Sequence, residues 1–137
     1  MKMSNQEYSV KPILIGNNIR IKIRQALDKQ IVEDMANHIY NHSKENVHFK
    51  PKNSKYEYHF IEDINVQIRI TFNLTDNTNI INFRDMIPYL MYTYLSGMHI
   101  LEKALSPKEL YDLDNGIISK LYLADIMVYD KTVTIII

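Results

Sequence analysis

Asp85–Leu105 reads DMIPYLMYTYLSGMHILEKAL, and the reading of this run decides the fold. Ile87, Leu90, Met91, Tyr94, Leu95, Met98, Leu101 and Leu105 recur at three- and four-residue steps. On a helix they make one very wide apolar face. A narrow strip is left over, carrying Tyr89, Tyr92, Ser96, His99 and Lys103. Asp85 suits an N-cap, and Pro88 suits the first turn, where its missing N–H costs nothing. Ser106-Pro107 ends the element. The apolar run is too short and too rich in tyrosine for a membrane span, which needs about 20 apolar residues. The expectation is a buried central helix covered on several sides. Gly97 inside it costs about 1 kcal/mol relative to Ala, which predicts the close approach of another backbone.

Upstream of this helix, Lys55–Leu74 reads as a hairpin. Tyr56, Tyr58 and Phe60 alternate with polar residues, and Ile64, Val66, Ile68, Ile70, Phe72 and Leu74 alternate without a miss. Setting Phe60 opposite Val66 places Tyr58 against Ile68, Tyr56 against Ile70 and Glu57 against Arg69. Thr75–Asn79 is a polar loop. Before the hairpin, residues 44–55 break pattern and read as a loop, with a short extended piece at Val47–Phe49. Further back, Gln25 to about Ser43 has helical period, with Leu27, Ile31, Met35 and Ile39 on one face. Near the N-terminus, Val10–Ile15 and the alternating IRIKIR of Ile19–Arg24 read as two strands joined at Gly16-Asn17-Asn18. Ile19, Ile21 and Ile23 would then face one way, and Arg20, Lys22 and Arg24 the other.

Downstream, KELYDL after Ser106-Pro107 makes a short capped helix, and Asp114-Asn115-Gly116 a turn. Lys120–Ile137 closes as a hairpin around Asp130-Lys131. Its register sets Val128 opposite Val133, Ile126 opposite Ile135 and Ala124 opposite Ile137. The fold class is α+β: a mainly antiparallel sheet built from hairpins with two principal helices packed on it. The order is hairpin, helix, hairpin, helix, short helix, hairpin, in a single domain over residues 1–137.

Composition narrows function by exclusion. The chain has 16 basic and 16 acidic residues, so clustered positive charge for nucleic-acid binding is disfavoured. It has no cysteine, which removes disulfides and thiolate metal sites and fits a reducing compartment. MKMSNQEYSV has no apolar signal-peptide core, so a cytoplasmic location is expected, with no membrane partner. Only three glycines are present, and no phosphate-cradling, nucleophile-elbow or HExxH motif occurs. Ile, Asn, Lys and Tyr, the residues of A/T-rich codons, crowd the chain; this points to an A/T-rich genome or its phage.

Two groups of side chains carry possible function. His38 and His42 are four apart on the first long helix, a spacing that lets two imidazoles share a metal, with His48 just beyond. Against this, bare HxxxH arises often by chance, and histidines at the end of an apolar face commonly mark the rim of a core. No cofactor is expected. The second group is a contact surface: Tyr89, Tyr92 and His99 on the central helix, with Val133, Ile135 and Ile136 of the last strand. Tyrosine brings area and a polar tip at low entropy cost. Ile136 points away from Val133 and Ile135, so it needs cover from a second layer or another chain. A triad of Ser96, His99 and Asp85 fails on geometry, because Asp85 lies too far along the helix.

The reading is a non-enzymatic protein-interaction or assembly protein that binds a protein partner or its own copies. A phage or mobile element of an A/T-rich host is the expected source. The protein would then be a virion tail or neck component, or an inhibitor of a host defence system, placed in the host cytoplasm or the virion. The element order is loosely similar to that of small phage tail-terminator or neck proteins, with no motif to carry the likeness. The alternative is a small metal-binding protein or metal-dependent enzyme centred on His38 and His42.

Overall fold

The computed structural model describes residues 18–45, 67–74 and 80–137. Val10–Ile15, Val47–Phe49, Lys55–Val66 with its Glu57–Arg69 pairing, and the Thr75–Asn79 loop lie outside the described residues. The fold is α+β: among the described residues, helices with a three-stranded antiparallel sheet.

The IRIKIR segment corrects the sequence reading. Residues 18–26 are helical (α1). Ile19 and Ile23 are buried, and Ile21 points outward. Strict alternation over six residues also puts apolar groups at i and i+4, and Leu27 extends that row to i+8, a helical stripe. The three basic residues therefore do not share a face. Arg20 pairs with Asp125 at 3.1 Å and Lys22 with Glu109 at 2.8 Å.

The chain breaks at Leu27-Asp28 and restarts as α2, Lys29–Glu45. Asp28 is the reason: its carboxylate accepts the N–H of Ile31 at 2.8 Å, so it caps the new helix. The buried face of α2 is Val32, Met35, Ala36 and Ile39, as its period implies.

Strand β1, Arg69–Asn73, follows its alternation. Ile68, Ile70, Phe72 and Leu74 are buried, and Arg69 and Asn73 are exposed. The last hairpin is β2, Asp125–Tyr129, and β3, Thr132–Ile136. Its register has Val128 opposite Val133 and Ile126 opposite Ile135, as expected. Asp130 turns the corner at φ 53°, a backbone conformation that Asp tolerates better than most side chains. The sheet order is β1-β3-β2, so the apolar last strand is central. Both its edges are paired, which removes the need for a partner inferred from a bare terminal strand. Ile137 exchanges two backbone hydrogen bonds with Ile68, at 3.0 and 2.9 Å.

The central helix is also corrected. Helix α3 spans Ile80–Gly97, so Asp85 is no N-cap and Pro88 lies in its interior. There the ring removes the donor for the Arg84 carbonyl, a local cost of about 3 kcal/mol that burial of Pro88 among its apolar neighbours helps offset. The helix stops after Gly97. His99 takes the left-handed conformation (φ 60°), and α4, Ile100–Ala104, begins anew. Met98 is therefore exposed instead of lying on the apolar face. A Cβ on Gly97 would meet nothing within 4 Å among the described residues, so no close backbone there explains that glycine. Ile87, Leu90, Met91, Leu95 and Leu101 are buried as expected. Helix α5, Pro107–Asp114, opens with a complete capping box between Ser106 and Glu109. A 3₁₀ turn, Lys120–Leu123, leads into β2.

One core joins these parts. The inner sheet face (Ile68, Ile70, Phe72, Val133, Ile135, Ile137) meets α1, α2 and α3, with Phe72 edge-on to Phe83 at 5.4 Å. Among the described residues no helix is long and apolar enough to cross a membrane.

Candidate interaction surface

The segment from Ser119 to Tyr129 is held at its start and open at its end. The Ser119 hydroxyl accepts the Leu121 N–H at 3.2 Å and starts the 3₁₀ turn. Leu123 and Ala124 go into the core, which turns Leu121 outward, 67% exposed. Arg20 donates to the Tyr122 carbonyl at 3.3 Å and to the Asp125 carboxylate at 3.2 Å, fixing where β2 begins.

Beyond Asp125 the strand is bare. Met127 is 58% and Tyr129 84% exposed, and Val128 is also exposed although it faces the core side. The hydrogen-bond parity explains the open edge. Ile137 exchanges bonds with Ile68, and the Leu74 N–H reaches the Lys131 carbonyl. Odd-numbered residues of β3 therefore bond β1, and even-numbered ones bond β2. Asp125, Met127 and Tyr129, opposite Ile136, Thr134 and Thr132, use their backbone groups inward. The N–H and C=O of Ile126 and Val128 point to the outer edge, where no described residue pairs with them. Beside that edge runs a groove of about 550 Å³ lined by Arg84, Asp85, Pro88, Leu121, Ala124 and Ile126.

The side chains marked in the sequence are placed differently. Val133 and Ile135 are fully buried against the domain's own helices, and Ile136 is half-buried on the other sheet face. Tyr89 is exposed. The Tyr92 hydroxyl donates to Asp114 at 2.5 Å, which with burial pushes its pKa up to about 12. Lys120 lies 4.2 Å over the Tyr92 ring and donates to the Leu113 carbonyl. That cluster ties the end of α5 to α3. His99, beyond the end of α3, faces Glu102 at 3.2 Å and does not continue a strip with Tyr89 and Tyr92. Asp85 pairs with Arg84, so the Ser96, His99 and Asp85 set is not assembled.

His38 and His42 do come together, with ring centroids 4.3 Å apart. The Thr93 hydroxyl donates to the Leu90 carbonyl at 3.0 Å, so its oxygen accepts the Nε2–H of His38 at 3.3 Å. His42 Nδ1 donates to the His38 carbonyl at 3.2 Å. His38 thus seals the α2–α3 seam, its ring 5.5 Å from that of Tyr94 and tilted 49° to it. Burial, and then the neighbouring His42, lower its pKa. The Tyr94 hydroxyl is buried there without a hydrogen-bond partner among the described residues, and burial raises its pKa. Among the described residues no three His, Asp or Glu side chains form a metal-holding group. His48 lies outside the described residues.

The strand edge and its groove were not singled out from the sequence. The hairpin register was readable there, but the order β1-β3-β2, which leaves β2 at the rim, depends on a pairing across some sixty residues. Neither a protein-family model, nor a curated protein, nor a solved structure matches this chain.

Proposed function

We propose that the chain is a non-enzymatic protein-interaction or assembly protein, and that its contact surface is the edge of β2 with the adjoining groove. The observation that carries this is the cluster of exposed Leu121, Met127, Val128 and Tyr129 within one short segment. Single exposed apolar residues are ordinary. Here several fall together beside a strand edge that no described residue pairs, and Met and Tyr are residue types enriched where proteins meet. A source in a phage or mobile element of an A/T-rich host, acting as a virion component or a defence inhibitor in the host cytoplasm or virion, is supported by residue usage alone. The likeness of element order to tail-terminator or neck proteins no longer supports it, since α1 replaces the expected first hairpin.

A photo-crosslinking amino acid at Tyr129 tests the reading in the native host. A discrete covalent adduct with a protein is expected from that position and not from Tyr111, which is exposed on α5. Equal, background labelling from both positions would overturn the proposal.

A further inference from the structure

The outer edge of β2, which no described residue pairs, has a property that selects its partner: it is complementary to itself. We infer that β2 pairs antiparallel with β2 of a second copy, across a twofold axis at Met127, to give a continuous sheet β1-β3-β2-β2-β3-β1. This rests on the interaction reading above and names the partner.

Backbone parity comes first. Within β2, Ile126 and Val128 present N–H and C=O outward, and in an antiparallel pair outward-facing residues must meet outward-facing residues. A twofold at Met127 sets Ile126 against Val128 of the partner subunit, and Val128 against Ile126 of the partner subunit. Both are hydrogen-bonded pairs, so all the outward groups of the strand are satisfied at once. Met127 then meets Met127 of the partner subunit in a non-hydrogen-bonded pair.

Side chains agree with that register. Ile126 and Val128 lie on the core side, opposite buried Ile135 and Val133. The partner's Val128 would stand next to Ile126, at the groove formed by Pro88, Leu121 and Ala124. The groove is thus filled by the same strand that closes the edge. On the other face Asp125 meets Tyr129 of the partner subunit, a carboxylate beside a phenol that can donate to it. No like charges face each other, and Asp125 is already paired with Arg20 at 3.1 Å. Natural edge strands are usually guarded by a proline, an interior lysine or a bulge; DIMVY has none of these. A self-complementary patch of this kind builds a closed dimer and not a fibre.

The chain has no cysteine, which makes the test clean. In a non-hydrogen-bonded antiparallel pair the Cα atoms lie about 4.5 Å apart, within disulfide range. Met127→Cys should therefore oxidise to a covalent dimer, while Tyr111→Cys stays at background. Light scattering should show the wild type as a dimer. Met127→Lys, which sets two ammonium groups across the axis, should give a folded monomer whose melting temperature no longer rises with protein concentration. A wild type that is monomeric at every soluble concentration would overturn the inference. So would a dimer that survives Met127→Lys and is not trapped through position 127. A monomer whose Tyr129 photoprobe still crosslinks a different protein would remove the second copy as partner and leave the interaction reading standing. A monomer with no crosslink would remove both.

Discussion

Ile-Arg-Ile occurs twice in this chain, at residues 19–21 and 68–70, once as helix and once as strand. In α1, Ile19 is buried while Ile21 is 41% exposed. In β1, Ile68 and Ile70 are both buried, and Arg69 between them is exposed. The tripeptide itself favours a strand in both places, since β-branched residues fit a pleated surface. What differs is the continuation. After Ile70 the alternation runs on through Phe72 and Leu74, and β3 supplies a matching ladder. After Ile23 it stops, and Leu27 completes a four-residue step. Each segment buries the row that its longer context extends, and tertiary burial overrides local preference.

The largest expected effect breaks the strand half of this comparison. Ile68→Asp puts a carboxylate into the fully buried sheet face and should cost roughly 4 kcal/mol or more, enough to unfold most domains of this size. Gln67→Asp, on the opposite face, should stay within about 0.5 kcal/mol. Urea denaturation followed by circular dichroism reads both. Equal losses would contradict the orientation of β1.

The helical half is tested by a smaller difference. Ile23→Ala empties a packed site and should cost about 2–4 kcal/mol, against less than about 1 kcal/mol for Ile21→Ala. A strand would bury both and make the two losses alike.

This contrast also marks what was legible in the residues. β1, the register of the last hairpin, and the Ser106 capping box are local patterns with one solution, and each could be read directly. IRIKIR has two solutions over six residues, and only packing against α5 and the start of β2 chooses between them. The start of α3 is obscured for a related reason. Ile80–Arg84 follows the polar run Thr75–Asn79, which resembles a loop and makes Pro88 look like a first-turn proline. For the candidate surface the residues point to β3 of the last hairpin, whereas the exposed apolar side chains lie on its neighbour β2. The apolarity of Val133, Ile135 and Ile136 suits a central strand, and exposure falls on the neighbour with fewer apolar residues.

The smallest effect separates the two layers by pH. The α2–α3 seam contains His38, donating through Nε2 to Thr93 and packed against the Tyr94 ring, whereas no histidine lies in the described strands. Burial is the first cause that lowers the His38 pKa, and the charge that would appear beside His42 is the second. A histidine in the unfolded chain titrates near about 6.5. Between that value and the lower folded one, the unfolded chain binds a proton that the folded chain refuses, so stability falls as pH falls. The contribution is complete above the unfolded pKa and is lost on acidification until the folded pKa is passed, below which the loss levels off. Urea midpoints at pH 7.5 and pH 5.5 should therefore differ more for the wild type than for His38→Gln, whose amide can still donate to Thr93 but does not titrate. Gln67→Asp, on the sheet, and the wild type should shift together over the same interval near neutrality, because the substitution leaves the seam untouched. A wild-type midpoint that falls no further than that of His38→Gln would mean that His38 is as free to take a proton in the folded chain as in the unfolded one, and that the seam does not enclose it.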